Sequence, residues 1–178
     1  LTSKYIVLIG TRSVRIRSEQ CILTLAIVAL AFLASCTRSV RETQFTTENA
    51  KFNLIIAGDS SDFKDEIRKR ISARYSNSGN IDVVNINKLE NVRPEDYDVI
   101  LIMDTCIGCE DFNWSMKSFL DRLEDNNNVV LLMTTGYAHY EYSYGGVDAI
   151  TAASRIADEE EIFTRLSEEI DRIIGDAF

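Results

Sequence analysis

Two cysteines separated by two residues, Cys106 and Cys109, have the spacing in this chain that most directly suggests chemistry. A C-x-x-C pair closes a disulfide in oxidising compartments, and it exchanges thiols when a helix N-terminus stabilises a thiolate. Acidic residues on both sides of the pair oppose the thiolate. The sequence is therefore compatible with a structural disulfide and with a redox-active pair. A zinc site is disfavoured, because two cysteines and the lone His139 fall short of four ligands.

A polar loop, residues 58–62, follows a short apolar run and precedes a predicted helix. It holds Ser60 and Ser61 beside the N–H groups of the predicted helix start, and such a helix start attracts an anion. Asp59 and Asp62 in the same loop repel an anion. A residue such as Asp59 or Ser60 is also a good helix cap. The loop therefore predicts either an anion site or a simple helix cap.

A third loop is rich in tyrosine, with four tyrosines in the eight residues from Tyr137 to Tyr144. Tyrosine offers rigid apolar area with a polar tip, and such loops often bind proteins. The same side chains could instead pack over the end of a sheet. The loop is thus a candidate surface for a protein partner.

The N-terminal residues have the pattern of a secretory signal, in which basic residues precede an apolar run of about 15 residues. The run is shorter than the roughly 20 residues of a membrane-spanning helix. It ends in Leu33-Ala34-Ser35-Cys36, which resembles the bacterial lipobox. The resemblance implies a lipoprotein signal peptide over residues 1–35 and a lipid on Cys36. We therefore expect a protein of the bacterial cell envelope, lipid-anchored to a membrane and facing away from the cytoplasm.

The composition limits the remaining possibilities. The chain has 19 Lys and Arg against 28 Asp and Glu, a net charge of −9, which argues against a nucleic-acid partner. Its hydrophobic content of 46% is enough to build a core. Residues 36–50, rich in Thr, Arg, Glu and Gln, predict a lipidated start and a flexible tether, and residues 51–178 predict one domain.

Within residues 51–178, short apolar runs alternate with amphipathic helical patterns. Strands are predicted at about 53–58, 81–86, 98–103, 129–133 and 147–151, and helices at about 63–75, 116–123 and 157–174. Alternation of this kind predicts an α/β fold with a parallel sheet between helices.

The domain resembles flavodoxin-like proteins over about residues 52–176. The likeness rests on the strand Leu54-Ile55-Ile56 before a Ser-containing turn, on Tyr97–Leu101, on Ser118-Phe119-Leu120, and on Val129–Met133 before Thr134-Thr135-Gly136. It implies a three-layer sandwich around a five-stranded parallel sheet of order 2-1-3-4-5. A ligand would then lie at the carboxyl ends of the first and third strands.

The same resemblance implies FMN as a cofactor, with Ser60 and Ser61 on its phosphate and Thr105, Gly108, Gly136 and Tyr137 around its ring. Three functions follow from these observations. The first is a membrane-anchored FMN protein that transfers electrons or reduces small acceptors. The second is a flavin-free binding lipoprotein of the same fold, which holds a partner or a carbohydrate through the tyrosine loop. The third is a thiol–disulfide protein centred on Cys106 and Cys109.

Overall fold

The computed structural model describes residues 39–106, 113–136 and 140–176. These residues form one sheet flanked by helices. Its strands are β1 Thr43–Phe45, β2 Asn53–Gly58, β3 Asn80–Asn85, β4 Val99–Thr105, β5 Val129–Thr134, β6 Ser143–Tyr144 and β7 Val147–Ala152. They lie in the order β1-β3-β2-β4-β5-β7-β6.

The flavodoxin-like α/β class is confirmed by this arrangement, whereas the prediction of a five-stranded, wholly parallel sheet is wrong. The sheet has seven strands, and the outer two, β1 and β6, pair antiparallel with β3 and β7. The strands between them, in the order β3-β2-β4-β5-β7, pair in parallel. The outer strands were not predicted from the sequence, because segments of three and two residues carry almost no alternating apolar signal.

The predicted flexible tether over residues 36–50 contains ordered structure. Strand β1 lies inside this range, with Thr43 opposite Val83 and Phe45 opposite Ile81. Val40, just before it, is buried. Backbone pairing with β3 holds this segment although its composition is polar. The predicted lipid site, Cys36, lies outside the described residues.

In the described segments, three helices and three 3₁₀ turns cover the sheet. The helices are α1 Asp62–Tyr75, α2 Trp114–Leu120 and α3 Glu159–Asp176, and the turns are Ile86–Asn91, Pro94–Asp96 and Ile156–Asp158. Ser61 caps α1 by accepting a hydrogen bond from the backbone N–H of Lys64 at 3.3 Å, and Asn113 caps α2 in the same way. None of the helices in the described part of the chain is both long and apolar enough to cross a membrane.

Two apolar cores lie on opposite faces of the sheet, because the parallel strands are buried on both sides. Leu54 and Ile56 of β2 pack towards α1 and α3, whereas Ile55 and Ala57 pack towards α2 and the turn Ile86–Asn91. The alternation along one strand thus supplies both cores. Strand β2 ends at Gly58, and polar residues follow it directly.

Candidate functional site

The carboxyl ends of β2, β4 and β5 meet at one edge of the sheet. Gly58 lies opposite Met103, and Thr105 lies opposite Thr134. Ligands of open α/β sheets bind at this edge. The polar side chains gathered there are Asp59, Lys64, Asp104, Thr105 and Thr134, which we call the charged cluster.

Lys64 is at the centre of the charged cluster, and its side chain is fully buried. Its Nζ donates hydrogen bonds to the Asp59 carboxylate and to the Thr105 hydroxyl. Burial lowers the pKa of Lys64, and the negative charge of Asp59 opposes that shift. Because a buried ammonium is costly unless it is paired and hydrogen-bonded, Asp59 is a structural requirement for Lys64.

The threonines connect the charged cluster across the strands. The Thr105 hydroxyl lies 3.1 Å from Asp59 Oδ2 and 3.2 Å from the Thr134 hydroxyl. The Thr134 hydroxyl lies 3.2 Å from the backbone carbonyl of Asp104, to which it can donate. The cluster is therefore a continuous hydrogen-bond network over three neighbouring strands.

Asp104 is the second buried acid of the cluster. Its carboxylate accepts hydrogen bonds from the backbone N–H groups of Thr105 at 2.8 Å and Asn113 at 3.2 Å. Burial raises the pKa of Asp104 although both hydrogen bonds lower it. Its carboxylate helps to fix the start of α2, because Asn113 is the cap of that helix.

The first loop does not fit a flavin phosphate. Ser61 is the cap of α1, and the Ser60 hydroxyl donates to Asp65 at 2.7 Å, so both predicted phosphate ligands bond to the helix that follows them. The helix start also carries Asp62, and the Asp59 carboxylate is turned inward onto Lys64. A phosphate dianion would meet carboxylates here, and the buried cation is already paired. The roles of Ser60 and Ser61 in cofactor binding stay predictions, and the contacts of the loop oppose them.

Of the residues predicted around a flavin ring, the structure describes Thr105 and Gly136. Thr105 belongs to the charged cluster, and Gly136 is exposed with open space where a Cβ would lie. Gly108 and Tyr137 lie outside the described residues, so their predicted roles stay predictions.

The predicted cysteine pair is described in part. Cys106 is buried, and its backbone N–H donates to the Thr134 carbonyl at 2.8 Å, while Cys109 lies outside the described residues. The disulfide and redox predictions therefore stay predictions. In the described segments, no group of three or more His, Cys, Asp or Glu side chains is placed to hold a metal ion.

The described part of the tyrosine loop packs against the domain. Tyr142 is buried in the core on the α2 side of the sheet. The Tyr144 hydroxyl donates to the Asp121 carboxylate at 2.9 Å. The Lys117 ammonium lies 5.6 Å from the centre of the Tyr144 ring. These contacts favour the packing interpretation of Tyr142 and Tyr144, whereas Tyr140 is half-buried.

Sequence reasoning did not select Lys64 as a site residue. A lysine in the first turn of an amphipathic helix is usually exposed, and only its position next to Phe63, on the buried side of α1, signals otherwise. Trp114, the only tryptophan of the sequence, lies at the start of α2, and its side chain is 80% exposed.

Comparison with known proteins gives structural likeness only. No family model and no curated protein matches the sequence. Among solved structures, the chain is similar to flavodoxin 1 of Bacillus cereus at 14% identity, with a TM-score of 0.42 and coverage of 67% of this chain and 97% of that one. A flavodoxin of Streptococcus pneumonia TIGR4 gives 13% identity, a TM-score of 0.45 and coverage of 67% and 97%. Flavodoxin 2 of Bacillus cereus gives 16% identity and a TM-score of 0.44, with coverage of 71% of this chain and 99% of that one.

Proposed function

We propose that this chain is a flavin-free binding domain of flavodoxin-like fold, held at a membrane of the bacterial cell envelope by a lipid on Cys36 and facing away from the cytoplasm. The observation that carries the flavin-free part is the Lys64–Asp59 pair. Asp59 of the first loop is turned onto Lys64, so this buried cation is already paired and adds no free positive charge to the loop.

The contacts of the first loop leave little for a phosphate to bind. The side chains of Ser60 and Ser61 already bond to α1, and a phosphate would reach Lys64 only if Asp59 were displaced from it. The strand order of the sheet favours FMN binding in this fold, and the contacts of the first loop outweigh it.

The binding role is supported by side chains near the same edge of the sheet. Trp114 presents most of its surface to solvent, and a Trp that a domain leaves exposed is a common anchor in protein interfaces. We place the protein partner at Trp114, together with the Tyr137–Tyr144 loop, whose tyrosine-rich sequence predicts a partner surface. The overall negative charge of the chain would disfavour an acidic partner.

An FMN titration of the full chain tests the proposal. Trp114 is the only tryptophan, so its fluorescence reports any flavin bound near the carboxyl edge by energy transfer and quenching. We expect no saturable quenching up to hundreds of micromolar FMN and no change in the visible spectrum of the flavin. Saturable binding with a dissociation constant in the micromolar range or below would refute the flavin-free assignment.

A further inference from the structure

The ordered part of the domain begins very close, along the chain, to the predicted lipid site. Val40 is buried, and strand β1 begins at Thr43. Only residues 37–39 separate Cys36 from Val40 in the sequence. Because an extended chain spans about 3.3–3.6 Å per residue, this tether can reach no further than about 14 Å. A compact domain of this length is roughly 35–40 Å across, so the tether is shorter than the domain is wide.

A lipid on Cys36 therefore determines which edge of the sheet is held near a bilayer. Strand β1 is at one edge of the sheet, and β7 is five strand positions away from it. Neighbouring strands are about 4.8 Å apart, which places β7 about 24 Å from β1. The short tether keeps the start of β1 near the lipid headgroups, whereas the edge that contains β7 can point away from them.

Three exposed side chains lie together beside β1. Arg41, Phe45 and Lys69 line the same recess between β1 and α1, and we call them the β1 corner. Phe45 is 38% exposed, and the side chain of Lys69 is 75% exposed. Proteins that bind the surface of a bilayer combine apolar side chains, which enter the interface, with basic side chains, which bind anionic headgroups. The β1 corner has this composition.

The basic residues of the β1 corner are available to an anionic surface. Arg41 is exposed and forms no hydrogen bond or ion pair with another described residue. Lys69 pairs with Glu66 at 3.0 Å, and such an exposed pair is weak. One acid, Asp65, lines the same recess, and it is paired with Arg68. The corner therefore keeps free positive charge in a chain whose net charge is −9.

The opposite edge of the sheet has the reverse electrostatic character. Ile156, which follows β7, is 83% exposed. Four consecutive acids, residues 158–161, come directly after it and lead into α3. An anionic bilayer repels such a segment and attracts basic residues. Phe45 and Ile156 are thus two exposed apolar side chains in opposite charge surroundings, at opposite edges of the sheet.

We propose that the β1 corner lies against an anionic bilayer, with Arg41 and Lys69 on lipid headgroups and Phe45 in the interface. This inference rests on the membrane anchoring in the proposed function and adds the face by which the domain docks. The short tether selects the bilayer as the occupant, because it holds the headgroups beside this corner. Helix α2 packs on the other face of the sheet from α1, so Trp114 stays accessible to a protein partner.

Tryptophan quenching by a lipid with a nitroxide on its headgroup tests the inference. The chain is produced from its full sequence in a bacterium, purified from the membrane, and reconstituted in vesicles of phosphatidylglycerol and phosphatidylcholine that contain this lipid. Because Trp114 is the only tryptophan, Trp114→Phe combined with Phe45→Trp or with Ile156→Trp moves the fluorophore to either edge of the sheet. We expect a large loss of fluorescence at position 45, and little or none at position 156 or at Trp114 in the parent chain.

The outcomes decide between the possible occupants of the β1 corner. Equal quenching at positions 45 and 156 would refute the docked orientation. Quenching at neither position would leave the corner to a protein partner or a second copy of the chain, and it too would refute the inference. If Phe45→Trp does not fold, Thr43→Trp replaces it, because Thr43 is exposed and lines the same recess.

Charge reversal tests the role of the two basic residues. Arg41→Glu combined with Lys69→Glu should reduce the quenching at position 45, because the attraction to phosphatidylglycerol becomes a repulsion. Arg165→Glu combined with Arg172→Glu changes the net charge equally, on exposed positions of α3, and should leave that quenching unchanged. An equal reduction in both double variants would show that net charge alone matters, and it would contradict the role given to Arg41 and Lys69.

The intact mass of the same purified chain separates failure of the inference from failure of the proposed function. We expect the mass of a chain that begins at Cys36 and carries lipid. A chain without lipid would refute the membrane anchoring, and the docked orientation with it. A lipidated chain that is quenched equally at both edges would refute the orientation alone, and the anchoring would stand.

Discussion

The charged cluster and the segment before strand β1 each hold a basic residue, and they hold it in opposite ways. In the charged cluster, Lys64 is fully buried and hydrogen-bonded to Asp59 and Thr105. Before β1, Arg41 stays exposed and forms no hydrogen bond or ion pair with another described residue. The difference shows that burial of a cation does not by itself define a binding site. What decides is whether the protein supplies every partner that the cation needs.

The largest expected effect follows from removing the buried cation. Lys64→Met should lower the free energy of unfolding by about 3–5 kcal/mol, because Asp59 would remain partly buried without its counter-charge. Urea unfolding followed by circular dichroism measures the change. If the variant does not fold at all, the double variant below still tests the pairing.

Two controls separate loss of the pair from loss of side-chain volume. Lys64→Met combined with Asp59→Asn should recover much of the stability lost in the single variant, since no unpaired charge is left. Lys69→Met, on the exposed side of the same helix, should change stability by no more than about 0.5 kcal/mol. A double variant as unstable as Lys64→Met alone would contradict the pairing account.

The next largest loss of stability is expected where β2 and β4 approach each other closely, next to the charged cluster. A Cβ at Gly58 would lie 2.8 Å from the backbone carbonyl oxygen of Met103. Gly58→Ala should therefore destabilise the domain by about 1–3 kcal/mol through overpacking. Gly136→Ala is the matched control, because its Cβ would meet nothing within 4 Å, and we expect it to unfold at the urea concentration of the parent chain. Equal stability of the two variants would show that the strand ends lie further apart than described.

Asp104 should make the stability of the domain depend on pH. Because burial raises its pKa above the ordinary value of 3.8, the folded state keeps a proton that the unfolded state has already released. Its contribution to stability is therefore complete below pH 3.8 and is lost as the pH rises through the folded-state pKa. Asp104→Asn removes this contribution, so the stability of the parent chain relative to the variant should fall as the pH rises from about 4. A difference that grows with rising pH over this window would show that the carboxylate is stabilised in its charged form.

The smallest expected effect on stability is at Arg41, just before strand β1. Arg41→Gln should change the free energy of unfolding by no more than about 0.5 kcal/mol, since Arg41 bonds to no other described residue. Thermal unfolding of the variant beside the parent chain measures this. A loss of more than about 1 kcal/mol would mean that Arg41 is a structural residue, as Lys64 is.

The sequence predicted the long elements of the fold because their signal is local. Val129–Thr134 is apolar throughout, as a strand buried on both faces must be, and the stripe of apolar residues along α1 is visible from its spacing. Strands β1 and β6 could not be predicted, because each depends on an edge of the sheet that is already formed.

The site was harder to predict than the fold, for a related reason. Ser60 and Ser61 look like phosphate ligands in isolation, and their true partners, Asp65 and the backbone of Lys64, lie within the following helix. The burial of Lys64 depends on Thr105, which is 41 residues away along the chain. No local pattern reports a contact at that separation.

The central claim is that the cation at the carboxyl edge is enclosed and matched by the protein itself. Reductive methylation of the folded full chain, read residue by residue with mass spectrometry, tests it directly by comparing Lys64 with Lys69 on the same helix. The side chain of Lys69 is 75% exposed and should be methylated readily, whereas the fully buried Lys64 should stay unmodified until the chain unfolds. Methylation of Lys64 at the rate of Lys69 in the folded chain would contradict the account, because the amine would then be open to solvent and able to receive a phosphate.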